Sequence, residues 1–193
     1  MNTAQHPALA EIAHLFDTHG HLTYGEGVTQ LQHALQCATL AAQAHASDGL
    51  VLATFLHDIG HMQHPDAAGD LEQGRDDTHE ALGADFLARW FGPDVSEPVR
   101  LHVQAKRYLC QGSPDYLNQL SPTSVRTLRL QGGPMTPQEA LAFEQHPYRD
   151  DALRLRRWDD SGKEAHMDTL PMTHFMQLAE QHLLSLRASA KRF

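Results

Sequence analysis

Apolar positions recur every three or four residues over most of this chain, and no stretch shows the two-residue alternation of a half-buried strand. The pattern predicts a first helix over 8–17, with Leu9, Ile12 and Phe16 at helical spacing. Gly20, Gly25 and Gly27 break it. A second helix runs from about Thr29 to Ala46, with Leu31, Leu35, Ala38 and Ala42 on its buried face and His33 in its first turns. Ser47 or Asp48 then caps an apolar run, Leu50 to Leu56, that leads straight into His57 and Asp58, with His61 one turn later. Residues 62–76, rich in Asp, Gly and Gln, read as a surface loop. Asp77 to Glu80 opens the next helix, carried by Leu82, Phe86, Leu87 and Trp90 and stopped by Gly92-Pro93. Another helix spans about Ser96 to Leu109. Three short pieces follow over 113–120, 121–130 and 136–145, the last two joined by the turn Gln131-Gly132-Gly133-Pro134. The charged segment 150–160 keeps Leu153, Leu155 and Trp158 inward. A last amphipathic helix covers about Met172 to Leu186, and the basic end, Arg187 to Phe193, frays. The expected fold is all-α, a helical bundle in one domain over 1–193.

An apolar helix that ends on two imidazoles and a carboxylate is unusual, because desolvating such groups is costly unless they are paired or bound to a metal. Composition sharpens the point. The chain of 193 residues carries 15 histidines, far more than an ordinary soluble domain of this size needs. Its formal charge of −9, with no basic block to offset it, argues against a nucleic-acid partner. Cys37 and Cys110 form no metal-like spacing and read as buried small hydrophobes. The N-terminus lacks a basic and then apolar leader, and no apolar run is long enough for a membrane span, so a cytoplasmic location is expected.

Six residues sit inside predicted helices on or near the apolar face: His33, His57, Asp58, His79, His102 and Asp159. Taken singly, each histidine reads as readily as a surface or hydrogen-bonded core residue. The order His, His-Asp, His, His, Asp across five helices is much harder to obtain by chance. Four imidazoles and two carboxylates suit iron or manganese better than structural zinc, which favours thiolates and four ligands. Six ligands with one bridging carboxylate serve two metals.

This order resembles the HD-domain superfamily of metal-dependent phosphohydrolases, and its six-ligand form resembles the oxygenase branch that includes myo-inositol oxygenase. Longer strings are similar to the branch that cleaves the C–P bond of 1-hydroxyphosphonates: Tyr24-Gly25-Glu26, His102 to Leu109, Gln131 to Met135, Glu139 to Gln145 and Leu155 to Asp159. They span most of 20–165, with a metal core over about 24–163. The resemblance implies a mixed-valence Fe(II)/Fe(III) pair with O2 as co-substrate. His33, His57 and Asp159 would hold one iron, His79 and His102 the other, and Asp58 would bridge them. Tyr24 matches a tyrosine that occupies an open iron position until substrate arrives. The implied reaction converts (R)-2-amino-1-hydroxyethylphosphonate to glycine and phosphate.

Spacing extends the list. Lys106 lies four residues after His102 and Arg156 three before Asp159, so on helices both face the same cavity. With His61 and Ser124 they would cradle a phosphonate dianion. Glu26 is the candidate for the substrate ammonium. The expected partner is a small organophosphonate, with no nucleic acid or membrane, bound by a monomer. The trimethylammonio or hydroxymethyl analogue remains an alternative substrate. A phosphohydrolase using a metal-activated water, or a non-catalytic HD module, is the alternative function.

Overall fold

The helical periodicity is realised along the chain. A computed structural model describes residues 6–23, 27–63, 69 and 73–190. Among these residues there are eleven helices and no strand. They are α1 (Pro7–His19), α2 (Gln30–Gln43), α3 (Asp48–Leu56), α4 (Ile59–Gln63), α5 (His79–Ala88), α6 (Pro93–Gly112), α7 (Pro114–Gln119), α8 (Pro122–Leu130), α9 (Pro137–Glu144), α10 (Arg149–Ser161) and α11 (Met172–Ala190). None is long and apolar enough to cross a membrane.

α3 has no polar stripe, and a helix apolar on all sides is stable only when surrounded. Every residue from Gly49 to Leu56 is buried, and α2, α6, α10 and α11 pack around it. Phe55 stacks on Phe16 of α1 and on Phe175 of α11, with ring centroids 5.0 and 5.1 Å apart and planes inclined by 19° and 21°. The hydroxyl of Thr54 donates to the Leu50 carbonyl at 2.7 Å, so the polar side chain inside this helix is satisfied. A second apolar cluster joins Leu101 and Ala105 of α6 to Met135, Ala140, Phe143 and Ala152. α6 therefore has apolar packing on both sides of the strip that carries His102 and Lys106.

Several boundaries differ from the sequence expectation, each for a local reason. α2 starts on a capping box between Thr29 and Gln32 and stops at Gln43, because His45 takes a left-handed φ of 52°. Ser47, not Asp48, caps α3 by accepting from the Leu50 N–H. Gly92-Pro93 opens α6 rather than closing the helix before it. A proline in the first turn loses no hydrogen bond, and α5 has already ended at Ala88. Asp77 lies outside α5, which begins at His79 after a left-handed Thr78 (φ 49°). Met62 and Gln63 finish α4 instead of beginning a loop. α11 continues as helix to Ala190, past the point where fraying was expected. Both cysteines are free and buried.

One close approach sets the site. A Cβ on Gly60 would lie 1.9 Å from the His79 carbonyl oxygen, so α4 and the start of α5 touch backbone to backbone. We expect Gly60→Ala to lower unfolding free energy by about 3 kcal/mol or more in urea titration, since the obstacle is backbone. Gly112→Ala meets open space at the end of α6 and should change stability by less than about 0.5 kcal/mol.

Candidate metal centre

Five helices or their ends bring the six expected ligands together. His33 comes from the start of α2, and His57 and Asp58 from the turn after α3. His79 opens α5, His102 lies mid-α6 and Asp159 near the end of α10. All but Asp58 are buried, and its side chain is 17% exposed. The imidazoles form two facing pairs. Nε2 of His33 stands 3.2 Å from Nε2 of His57, and Nε2 of His79 stands 3.1 Å from Nε2 of His102. Asp58 lies between the pairs. Its Oδ2 is 3.7 Å from His33 Nε2, and its Oδ1 is 3.5, 3.6 and 3.8 Å from Nε2 of His57, His79 and His102. Asp159 adds its oxygens at 3.4 Å from His33 Nε2 and 3.8 Å from His57 Nε2.

The far side of each ring is fixed. Nδ1 of His33 donates to the Gly162 carbonyl (2.8 Å), that of His57 to Thr54 (2.9 Å) and that of His102 to Val99 (2.7 Å). Nδ1 of His79 donates to the Asp77 carboxylate at 2.9 Å. Each ring thus presents Nε2 to the centre, the usual arrangement of a metal-binding histidine. Metal–nitrogen bonds of about 2.1 Å at right angles separate two ligand nitrogens by about 3 Å, close to the spacing of both pairs. The residues therefore fit a pair of metal ions, one at His33, His57 and Asp159 and one at His79 and His102, with Asp58 shared. Cys37 lies beside His33 (Sγ to Nδ1, 3.6 Å), but burial pushes its thiol pKa up and its S–H reaches the Trp158 carbonyl. It packs as a small neutral group. Gly162 must be glycine for this approach, because a Cβ there would meet Cys37 Sγ at 2.3 Å.

Within each pair the surroundings push the two imidazole pKa values in opposite directions. Burial disfavours charge on His79, but the hydrogen bond and charge of Asp77 more than offset it, and the pKa rises to about 9. Burial, with the positive His79 beside it, drives His102 well below the ordinary value. In the other pair burial again opposes charge on His33, yet Cys37 and Asp159 outweigh it and the pKa rises, while burial lowers His57. Burial alone would raise the carboxyl of Asp58, but the surrounding imidazoles hold it far below the carboxylate range. Asp159 is held down likewise, chiefly by Arg156.

The centre opens into a cavity of about 100 Å³. Of the expected substrate contacts, His61, Lys106, Ser124 and Arg156 all line it. Lys106 is 3% exposed and donates to Thr127 Oγ1 at 2.9 Å; burial, with the charge of Arg156, brings its pKa down to about 7. Ser124 accepts from Lys163 Nζ at 3.2 Å. Arg156 is more committed than its spacing suggested. One terminal nitrogen meets Asp159 at 2.7 Å, the other bonds Asp160, and Nε donates to the Tyr116 hydroxyl. His61 faces the cavity, but it stacks on His79 and pairs with Asp77 instead of sharing a helix face with His57. Tyr24 and Glu26 lie outside the described residues. Sequence reasoning missed Asp77, Thr127, Lys163 and the Tyr116–Asp160 pair. Asp77 stands two residues before His79 and Lys163 four after Asp159, so both were within reach; Tyr116 meets Arg156 across 40 residues and had no local signal.

Two divalent ions should displace two protons at pH 7, one from each imidazole pair, read by calorimetry in buffers of different ionisation enthalpy. Because His79 is protonated below about 9 without metal, affinity at the His79–His102 position should climb about tenfold per pH unit up to that value and then level off.

Residues 31–142 match the HD domain. A hydroxymethylphosphonate dioxygenase of Gimesia maris is 49% identical over 77% of this chain and 75% of its own length. A [1-hydroxy-2-(trimethylamino)ethyl]phosphonate dioxygenase (glycine-betaine-forming) of Leisingera caerulea is 38% identical over 88% of this chain and 87% of its own. The two facing imidazole pairs and the order of their residues along the chain accord with this kinship. The chain belongs to the HD-domain family, in its oxygenase branch.

Proposed function

We propose that this chain uses two iron ions, one Fe(II) and one Fe(III), and O2 to cleave the C–P bond of a 1-hydroxyphosphonate. The observation that carries the reading is the meeting of an all-nitrogen-and-oxygen ligand set with a buried cationic cavity at its mouth. Nitrogen and carboxylate donors without thiolate suit iron. When bound, the metal pair supplies redox capacity toward O2 and Lewis acidity toward substrate oxygens. The chain's own residues bind and orient. Asp58 would be shared by the two metals; His33, His57 and Asp159 would hold one, and His79 and His102 the other. Lys106, His61 and Ser124, with Lys163 beside them, receive the phosphonate oxygens through charge-assisted hydrogen bonds. Arg156 keeps Asp159 oriented while its guanidinium faces the same cavity. Tyr24 keeps the role that the family resemblance gives it, and the role given to Glu26 would serve only a substrate that carries a cation.

The favoured substrate is hydroxymethylphosphonate, followed by the trimethylammonio compound. The support is the names of the two relatives, and the 2-amino compound has none of that kind. Balanced against one O2, hydroxymethylphosphonate gives formate, phosphate and a proton, so C1 leaves as a carboxylate.

Iron-reconstituted protein should release phosphate and formate in equal amounts from hydroxymethylphosphonate in air, and neither without O2. Phosphate released without O2 from a phosphomonoester panel would instead identify a hydrolase, and turnover of the trimethylammonio or amino analogue alone would move the substrate assignment. Lys106→Met should cut kcat/KM by about 10–100-fold, mostly through KM, as expected for a charged donor to the substrate. In the wild type the Lys106 ammonium is present below about 7 and lost above. kcat/KM should therefore fall as pH rises through that value, and Lys106→Arg, which stays charged, should move the limb upward.

A further inference from the structure

His61 and His79 come from different helices, yet their rings lie nearly parallel, 3.8 Å apart and inclined by 17°. One carboxylate holds both. Oδ1 of Asp77 accepts from His79 Nδ1 at 2.9 Å, and Oδ2 meets His61 Nδ1 at 2.5 Å. Oδ1 also accepts the backbone N–H of His79 at 3.4 Å. With both Nδ1 atoms turned toward Asp77, both Nε2 atoms turn toward Asp58 Oδ1, at 3.6 Å for His79 and 3.9 Å for His61. The backbone is arranged for this clamp. Gly60 presses against the His79 carbonyl, and Thr78, between Asp77 and His79, is left-handed.

We propose that Asp77 is a positioning residue that locks His61 and His79 into one unit, so that one carboxylate orients both a metal ligand and a phosphonate contact. The inference rests on the assignment of His79 to a metal and of His61 to substrate given above. Its physical content is that an imidazole rotates freely about its terminal torsion until its distal nitrogen is held. Removing the partner of a metal-bound histidine commonly weakens metal binding by about 10–100-fold. Here the two rings share that partner, so one substitution disturbs two separate functions, whereas removing His61 disturbs one.

The test compares wild type, Asp77→Asn, His61→Ala and the double variant. Affinity for the metal assigned to His79 and His102 is measured by competition with a chromophoric chelator, KM by phosphate release, and folding by circular dichroism. Asp77→Asn should weaken that metal by about 10–100-fold and also raise KM several-fold. His61→Ala should raise KM with metal affinity unchanged. The double variant should have the metal affinity of Asp77→Asn and a KM no higher than that of His61→Ala, because the Asp77–His61 contact is already gone. Wild-type metal affinity in Asp77→Asn, KM effects that multiply in the double variant, or a wild-type protein that binds only one metal overturns the clamp. If Asp77→Asn does not fold, Asp77→Glu keeps the charge on a longer arm and should shift both quantities in the same direction; a change in neither overturns the proposal. The metal measurement needs no turnover. If no phosphonate is oxidised the functional reading fails, and the dissociation constant for inorganic phosphate, measured on the metal-loaded protein, then takes the place of KM.

Discussion

The Asp58 carboxylate, set between two facing pairs of imidazoles, is the interaction on which the other features of this protein depend. A carboxylate and four rings taken out of water would be prohibitively unstable if each were left alone. They are not alone. Within each pair one imidazole pKa is pushed up and the other down, and Asp58 and Asp159 lie against both rings of a pair. The spacing of the two rings in each pair also suits a shared metal. Such a site needs helices that cannot shift. The apolar α3, surrounded by α2, α6, α10 and α11, supplies that rigidity and ends where His57 and Asp58 begin.

Much of this was legible in the sequence because two separate periodicities coincide. Apolar spacing located the helices, and His33, His102 and Asp159 sat on or near the apolar faces it defined. Boundaries were read less well where one residue type serves two purposes. Gly92-Pro93 can end a helix or begin one, and the choice depends on where α5 has already stopped. The six candidate ligands were picked out by their order along the chain. The partners that aim those ligands were not, because they are backbone carbonyls, such as those of Gly162 and Val99, or side chains that meet only after folding. Tyr116, Asp160 and Arg156 form a cluster that no local pattern announces. Cys37 is the converse case: proximity to His33 makes it look like a ligand, but its burial and its bond to Trp158 make it packing.

Arg156 shows how substrate and metal ends of such a site become one object. Its spacing from Asp159 suggested a substrate contact, and it does line the cavity. Its strongest commitments, however, are to Asp159 and Asp160. A guanidinium with a rigid fork of donors can serve both ends, where a lysine would serve one. Asp77 makes the same kind of connection on the opposite side of the centre, between His61 and His79. The cavity is therefore bounded by groups whose orientation is set by the ligands, and the ligands by groups that border the cavity.

The electrostatics of the cavity also say where selectivity must arise. Lys106, Arg156 and Lys163 gather positive charge inside a chain of formal charge −9, and their mutual repulsion contributes to the lowered pKa of Lys106. A dianion would relieve that repulsion, and the proposed phosphonate substrate would bring one. The cationic end cannot separate one 1-hydroxyphosphonate from another, because the phosphonate and the C1 hydroxyl are common to all of them. Discrimination among hydrogen, an amine and a trimethylammonium group must come from residues that face C2. Arg75 and Asp76, opposite charges side by side, also line the cavity just ahead of Asp77.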